Sequence, residues 1–187
     1  GVLIFSLEMS KSQLVQRLLC MEGKVNSQRL RSGFLASDEF PKIQAAAGRL
    51  DIAPIHIDDT PGITVMELRA KARRHALRNE CGLIIVDYLQ LMSGTGRSES
   101  RQVEISEISR AIKGIARELK LPILALSQLS READKDDVGR PKLSHLRESG
   151  AIEQDADVVL MLYRPKTDIG PGMDALQVNL DLAKQRN

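Results

Sequence analysis

The sequence predicts an α/β domain built on a mostly parallel sheet. Short apolar runs alternate along the chain with segments of helical period, as they do when each strand is followed by a crossover helix. The run Leu83-Ile84-Ile85-Val86 is apolar at successive positions, the pattern of a central strand covered by helices on both faces, and Pro122-Ile123-Leu124-Ala125-Leu126 reads as a further buried strand. Polar residues that could carry chemistry follow one strand after another, and parallel sheets bind ligands beyond the carboxyl ends of their strands.

The elements follow in order. Val2 to Ser6 reads as a strand, and Ser10-Lys11-Ser12-Gln13 has the spacing of a capping box ahead of Leu14, Val15, Leu18 and Leu19 on one helical stripe. A second helix is predicted over Asp38 to Arg49, then a short strand at Ile55-His56-Ile57-Asp58 and a turn at Asp59-Thr60-Pro61-Gly62. Thr64-Val65-Met66-Glu67 is another capping box, opening a helix whose stripe is Val65, Leu68, Ala72 and Ala76. The buried strand Leu83 to Val86 follows, then a long helix with Ile105, Ile108, Ile112, Ile115 and Leu119 at steps of three and four. Pro122 to Leu126 and Val158 to Tyr163 are predicted as further buried strands, and Leu176 to Ala183 as a last, more alternating one. Ser93 to Arg101 and Ser130 to Glu148 show no periodic pattern and are predicted as long loops of functional weight. The opening Gly1-Val2-Leu3-Ile4-Phe5 reads like the interior of a buried strand, the start of an incomplete domain.

Composition narrows the class. With 187 residues, 42% of them hydrophobic, one domain with a full core is expected, and collagen, coiled coil and simple disorder are excluded. Cys20 and Cys81 form no metal-binding cluster and no disulfide framework, which fits a reducing, cytoplasmic setting. The apolar runs are far below the roughly 20 residues that a membrane span needs. A net charge of +2 makes no general claim for nucleic acid, although Lys11 to Arg31 and Glu67 to Glu80 are rich in Arg and Lys, each read first as a solvated helix face. With three Phe, two Tyr and no Trp, a single strand would have to be held by its phosphates and not by base stacking.

The polar residues after the strands set the chemistry. Leu83 to Val86 ends in Asp87, as a Walker B strand does, where one carboxylate holds Mg²⁺ through its water shell. Glu8, after Phe5-Ser6-Leu7, could polarise a water against a phosphate. Ser127 and Gln128 follow a third strand, and Lys184, Gln185 and Arg186 a fourth. A metal, a positioned water and a cation are the parts of phosphoryl transfer. For each residue alone a capping or surface role is the simpler reading. It is the combination, expected at one edge of the sheet, that points to a nucleotide.

Six motifs in order, Phe5-Ser6-Leu7-Glu8-Met9-Ser10, Leu83 to Leu91, Ala125 to Arg131, Leu146-Arg147-Glu148-Ser149-Gly150, Ile152 to Asp157 and Ala183-Lys184-Gln185-Arg186-Asn187, together resemble the carboxyl-terminal motor domain of the bacterial replicative DNA helicases, the DnaB family. The resemblance covers residues 1 to 187. It implies a RecA-like P-loop NTPase core, truncated at its amino terminus, that assembles as a homohexamer, hydrolyses ATP with Mg²⁺ at subunit interfaces and translocates on single-stranded DNA. By that likeness Glu8 activates water, Asp87 is the Walker B aspartate, and Gln128 is a sensor. Lys184 and Arg186 act in trans on the neighbouring subunit's nucleotide, and Arg147, Glu148 and Gly150 hold the DNA backbone. Primase and a helicase loader are the implied partners in the replisome, in the cytoplasm, with no membrane.

One departure stands beside the resemblance. No Gly-x-x-x-x-Gly-Lys-Ser/Thr occurs in the sequence, so the phosphate-cradling loop is expected upstream of Gly1, with the primase-binding domain and its linker. Two other readings compete: a catalytically silent module that binds DNA or a loader, and a recombinase core of the RecA or RadA kind.

Overall fold

The computed structural model describes residues 1–78, 80–94, 100–130, 133, 140–164 and 178–186, leaving aside the side chains of residues 147–149. It divides into two compact units, Gly1–Ser93 with Ala116–Leu126, and Gly94–Ile115 with Ser127–Asn187.

The first unit holds a four-stranded, wholly parallel sheet of β1 (Val2–Ser6), β2 (Ile55–Asp58), β3 (Leu83–Asp87) and β4 (Ile123–Ala125), in the order β2-β1-β3-β4. Its helices are α1 (Lys11–Gly23), α2 (Ser27–Ser32), α3 (Glu39–Asp51) and α4 (Val65–Arg78). The inward residues of the strands make the core: Phe5, Ile84 and Val86 are fully buried, with Leu68 and Ala72 of α4 and Ile63 before it. Burying a side chain of this size contributes about 1.5–3 kcal/mol, so these residues fix the strand faces. Both predicted capping boxes are present. Ser10 Oγ accepts from the Gln13 N–H while Gln13 Oε1 accepts from the Ser10 N–H at 3.0 Å. At Thr64 the backbone N–H donates to Glu67 at 2.9 Å, and Thr64 Oγ1 accepts from the Glu67 N–H at 3.3 Å. These local rules start α1 and α4 where the spacing predicts.

α2 is an element that the sequence pattern does not predict. Its six residues carry too little apolar period to be seen, but the ends are marked: Asn26 Oδ1 accepts from the Gln28 and Arg29 N–H groups, and Gly33 closes the helix at φ 76°. An Asn and a Gly bracketing the segment were the available signal. Among the described residues four cations of the two basic stretches are in ion pairs, the longest being Arg73 at 4.0 Å from Glu118. Arg29 pairs with Glu39, Arg69 with Glu118, and Lys71 with Asp58.

The second unit holds most of α5 (Arg101–Leu119), whose Ile105, Ile108, Ile112 and Ile115 are buried at the predicted spacing. It also contains α6 (Gly150–Asp155), preceded by a 3₁₀ helix over Leu143–Ser149 inside the stretch expected to be a loop. β5 (Val158–Tyr163) and β6 (Asn179–Gln185) pair antiparallel with each other, with a register irregularity at Val159/Leu160. The expectation that these strands would extend the parallel sheet is therefore corrected: among the described residues they form a separate two-stranded sheet. The antiparallel ladder brings the end of β6 to the beginning of β5, Lys184 opposite Val159 and Gln185 opposite Val158. β5 alternates in exposure throughout and β6 over Asn179–Ala183, which is how a strand with one open face behaves; the expected burial of Val158–Tyr163 is thereby corrected, since Val158, Leu160 and Leu162 are exposed.

Candidate functional site

The carboxyl edge of the four-stranded sheet brings together two of the predicted residues. β1 and β3 are neighbours in register, Ser6 beside Asp87, and the Leu7 N–H donates to the Asp87 carbonyl at 2.7 Å. Glu8 is the next residue and lies exposed, while Asp87 is half-buried. Two acidic residues 79 positions apart in sequence thus stand at adjacent strand ends. Among the described residues neither carboxylate has a hydrogen-bond or ion-pair partner, so their oxygens remain open to water or a cation shell.

The turn that carries Glu8 is held from several directions. Ser6, only 2% exposed, donates its hydroxyl to the Met9 carbonyl at 2.8 Å, and Ser10 begins the capping box of α1. On the far side of β1 lies β2, with Phe5 opposite Asp58. The residue after β2, Asp59, accepts the Lys11 N–H on Oδ2 at 2.7 Å. Asp58 accepts from Lys71 Nζ at 2.9 and 2.6 Å and from the Thr60 N–H at 3.1 Å, and Lys71 also donates to Thr60 Oγ1 at 2.6 Å. Burial by itself would raise the Asp58 carboxyl; the hydrogen bonds from Lys71 and Thr60 outweigh it and hold the group below the ordinary carboxylate range. Residues 58–60 and Lys71 were not singled out as site residues from sequence. Their partners lie up to 48 positions away, which spacing does not reveal.

β4 adjoins β3 on the other side as the last strand of the sheet, and the ladder is continued by the Leu126 N–H to the Val86 carbonyl at 2.9 Å; Leu124 and Leu126 are exposed, which corrects the expected burial of this strand. Gln128, two residues on, is exposed and belongs to the second unit. In that unit Lys184 and Arg186 lie together at the end of β6. Lys184 donates to the Glu153 carbonyl, and the Arg186 N–H to the Asp157 carbonyl at 2.8 Å. A hydrogen bond from Lys113 holds the Asp157 carboxyl below its ordinary value, with Arg186 and Lys184 adding to the effect. Arg147 and Glu148 lie in the 3₁₀ helix, their side chains outside the described set; Gly150 opens α6, exposed, with open space around it. No group of three metal-binding side chains occurs among the described residues.

A parallel sheet flanked by helices, with acidic residues at two adjacent strand ends, has the architecture of a RecA-like ATPase domain. The chain belongs to the DnaB-like helicase C-terminal domain family, whose model matches residues 1–187. It is 51% identical over 188 residues to replicative DNA helicase DnaB of Geobacillus stearothermophilus and to replicative DNA helicase DnaC of Bacillus subtilis, in each case over 100% of this chain and 41% of the relative. To replicative DNA helicase DnaB of Mycobacterium leprae it is 48% identical, over 98% of this chain and 30% of that one. The chain thus spans about two fifths or less of these curated relatives. Among solved structures, one of an ATPase domain superposes with a TM-score of 0.90 at 36% identity, covering 100% of this chain and 67% of that one. A DnaB-like replicative helicase, described with its interactions with primase, matches at the same TM-score and identity over 45% of its length.

Proposed function

We propose that this chain is part of the ATPase motor of a replicative DNA helicase, and that the neighbouring Glu8 and Asp87 form its hydrolytic centre. The observation that carries the reading is their juxtaposition: Glu8 follows the residue whose N–H is bonded to the Asp87 carbonyl. A general base must be held by rigid elements near the proton that it takes, and adjacent parallel strands supply that rigidity.

The donor set fits Mg²⁺ bound through water. Asp87 offers carboxylate oxygens that no described group occupies, at the strand end where a cation shell can reach them. When bound with ATP, Mg²⁺ supplies charge neutralisation on the phosphates. The chain's own residues do the rest. Glu8 orients and deprotonates the attacking water, and Asp87 holds the cation's water shell. Gln128 couples the γ-phosphate to the DNA-binding segment. Lys184 and Arg186 serve the nucleotide of the next subunit in a homohexamer, with Arg186 neutralising charge in the transition state. The phosphate cradle is proposed to come from a P-loop upstream of this sequence, which has no such motif.

Arg147, Glu148 and Gly150 are proposed to follow the backbone of single-stranded DNA. Primase and a loader are the proposed protein partners, in the cytoplasmic replisome of a bacterium. No helix among the described residues is long and apolar enough to cross a membrane.

The test uses the full-length protein. Glu8→Gln is expected to leave nucleotide binding intact and to lower turnover by roughly 10²–10⁴-fold, the usual worth of a general base. Mixed rings of Glu8→Gln and Arg186→Ala subunits are expected to regain part of the activity, because some interfaces then join an intact Glu8 to an intact Arg186. Near-normal hydrolysis by Glu8→Gln would remove it from the catalytic role. Mixed rings that stay inactive would count against action in trans.

A further inference from the structure

Glu8 is exposed and has no side-chain partner among the described residues, so its direction depends on the backbone that carries it. That backbone is a short turn between the end of β1 and the beginning of α1, and it is tethered from both neighbouring strands. On the β3 side the tether is the Leu7 N–H to the Asp87 carbonyl, 2.7 Å. On the β2 side it is the Lys11 N–H to the Asp59 carboxylate, 2.7 Å.

We infer that Asp59 is a positioning residue for Glu8, fixing the first turn of α1 to the end of β2 so that the Glu8 carboxylate keeps one orientation at the sheet edge. This rests on the reading of Glu8 as the general base. Three details separate Asp59 from an ordinary helix cap. The cap of α1 is already provided locally by Ser10, which takes the Gln13 N–H. Asp59 instead takes the Lys11 N–H, three residues after Glu8, from a residue 48 positions away. Finally, Asp59 stands on a loop that is itself locked: Asp58 and Thr60 on either side of it both accept from Lys71 Nζ, within 2.6–2.9 Å. A flexible loop could cap a helix as well, but it could not hold its position. The Lys71 bridge makes the Asp59 oxygen a fixed point in the sheet's frame, and the turn bearing Glu8 spans two such points. Misplacing a catalytic group by about 1 Å can cost on the order of a hundredfold in rate, so the tether acts on turnover through geometry alone.

The experiment is steady-state ATP hydrolysis by the full-length helicase carrying Asp59→Ala, Asp59→Asn, Glu8→Gln, and Asp59→Ala with Glu8→Gln. Asp59 is exposed, so its replacement opens no cavity, and melting temperatures check that the variants are folded. Asp59→Ala is expected to lower kcat by about ten- to a hundredfold while KM for ATP changes by less than about twofold, the signature of a lost transition-state contribution. Asp59→Asn keeps an oxygen that can accept the Lys11 N–H and is expected to restore most of kcat. In the Glu8→Gln background Asp59→Ala is expected to change the residual rate by less than about twofold, because a positioning residue has nothing left to position. Wild-type kcat in Asp59→Ala, a loss confined to KM, failure of Asp59→Asn to rescue, or a full additional loss in the double variant would each overturn the inference. If Glu8→Gln is inactive and Asp59→Ala is normal, only the role of Asp59 falls. If Glu8→Gln itself hydrolyses ATP normally, the general-base reading falls and takes this inference with it.

Discussion

Lys71→Met removes the centre of the network behind the site and keeps most of its aliphatic stem. The lysine makes two contacts with Asp58 and one with Thr60, and the paired side chains are 30% and 24% exposed. An exposed ion pair is worth about 0–1 kcal/mol, and breaking a fully buried one costs about 3–5 kcal/mol. A pair that keeps about a quarter of its surface in water lies between, and the expected loss at pH 7 is about 1–2 kcal/mol. The sign of the pH dependence follows from the depressed Asp58 carboxyl. Its contribution is fully present above the unfolded value, about 3.9, and is lost as pH falls through the lower folded value. Urea titrations of the wild-type and Lys71→Met chains from about pH 7 down to about pH 3 should therefore show a stability gap that narrows in acid. A gap under about 0.5 kcal/mol at neutral pH, or one that stays constant into acid, would refute the reasoning.

Other predictions concern separate features. Phe5→Ala empties a fully buried position in β1 and should destabilise by about 3–5 kcal/mol in denaturant titration; a loss below about 1 kcal/mol would mean that Phe5 is not in the core. Burial, with His56 at 4.3 Å between ring centroids, holds His75 below its ordinary value, so the unfolded chain takes up the proton first and stability falls as pH drops below about 6.5. Comparing unfolding at about pH 7.5 and about pH 5.5 in wild type and His75→Gln checks this, since the variant should lose part of that dependence. For Arg147→Ala in the full-length protein, single-strand binding should weaken with a shallower salt dependence, and an unchanged slope would make Arg147 structural.

The sequence was most legible where local chemistry decides structure. Ser10 with Gln13 and Thr64 with Glu67 set two helix starts from four-residue patterns, and the unbroken apolar run of Leu83 to Val86 marked a central strand, which lies between β1 and β4 with Ile84 and Val86 fully buried. It was less legible where structure depends on a distant partner. The alternation of β6 shows a strand with one open face but not its direction, so its antiparallel pairing with β5 was not read. Within the site, Glu8 and Asp87 stood out because each follows a strand. Asp59 and Lys71 did not, since a carboxylate in a turn and a lysine on a helix look alike whether or not they hold another residue in place.

The order β2-β1-β3-β4 also governs how the domain is made. No two hydrogen-bonded neighbours in that sheet are joined by a hairpin, and Val2 meets Leu83 only after about eighty residues of intervening chain have been brought round. On the ribosome β1 emerges well before β3, and it waits without its central partner until β3 has been synthesised. An apolar strand kept waiting in this way is open to wrong pairing, so slow maturation and dependence on chaperones are expected of this domain.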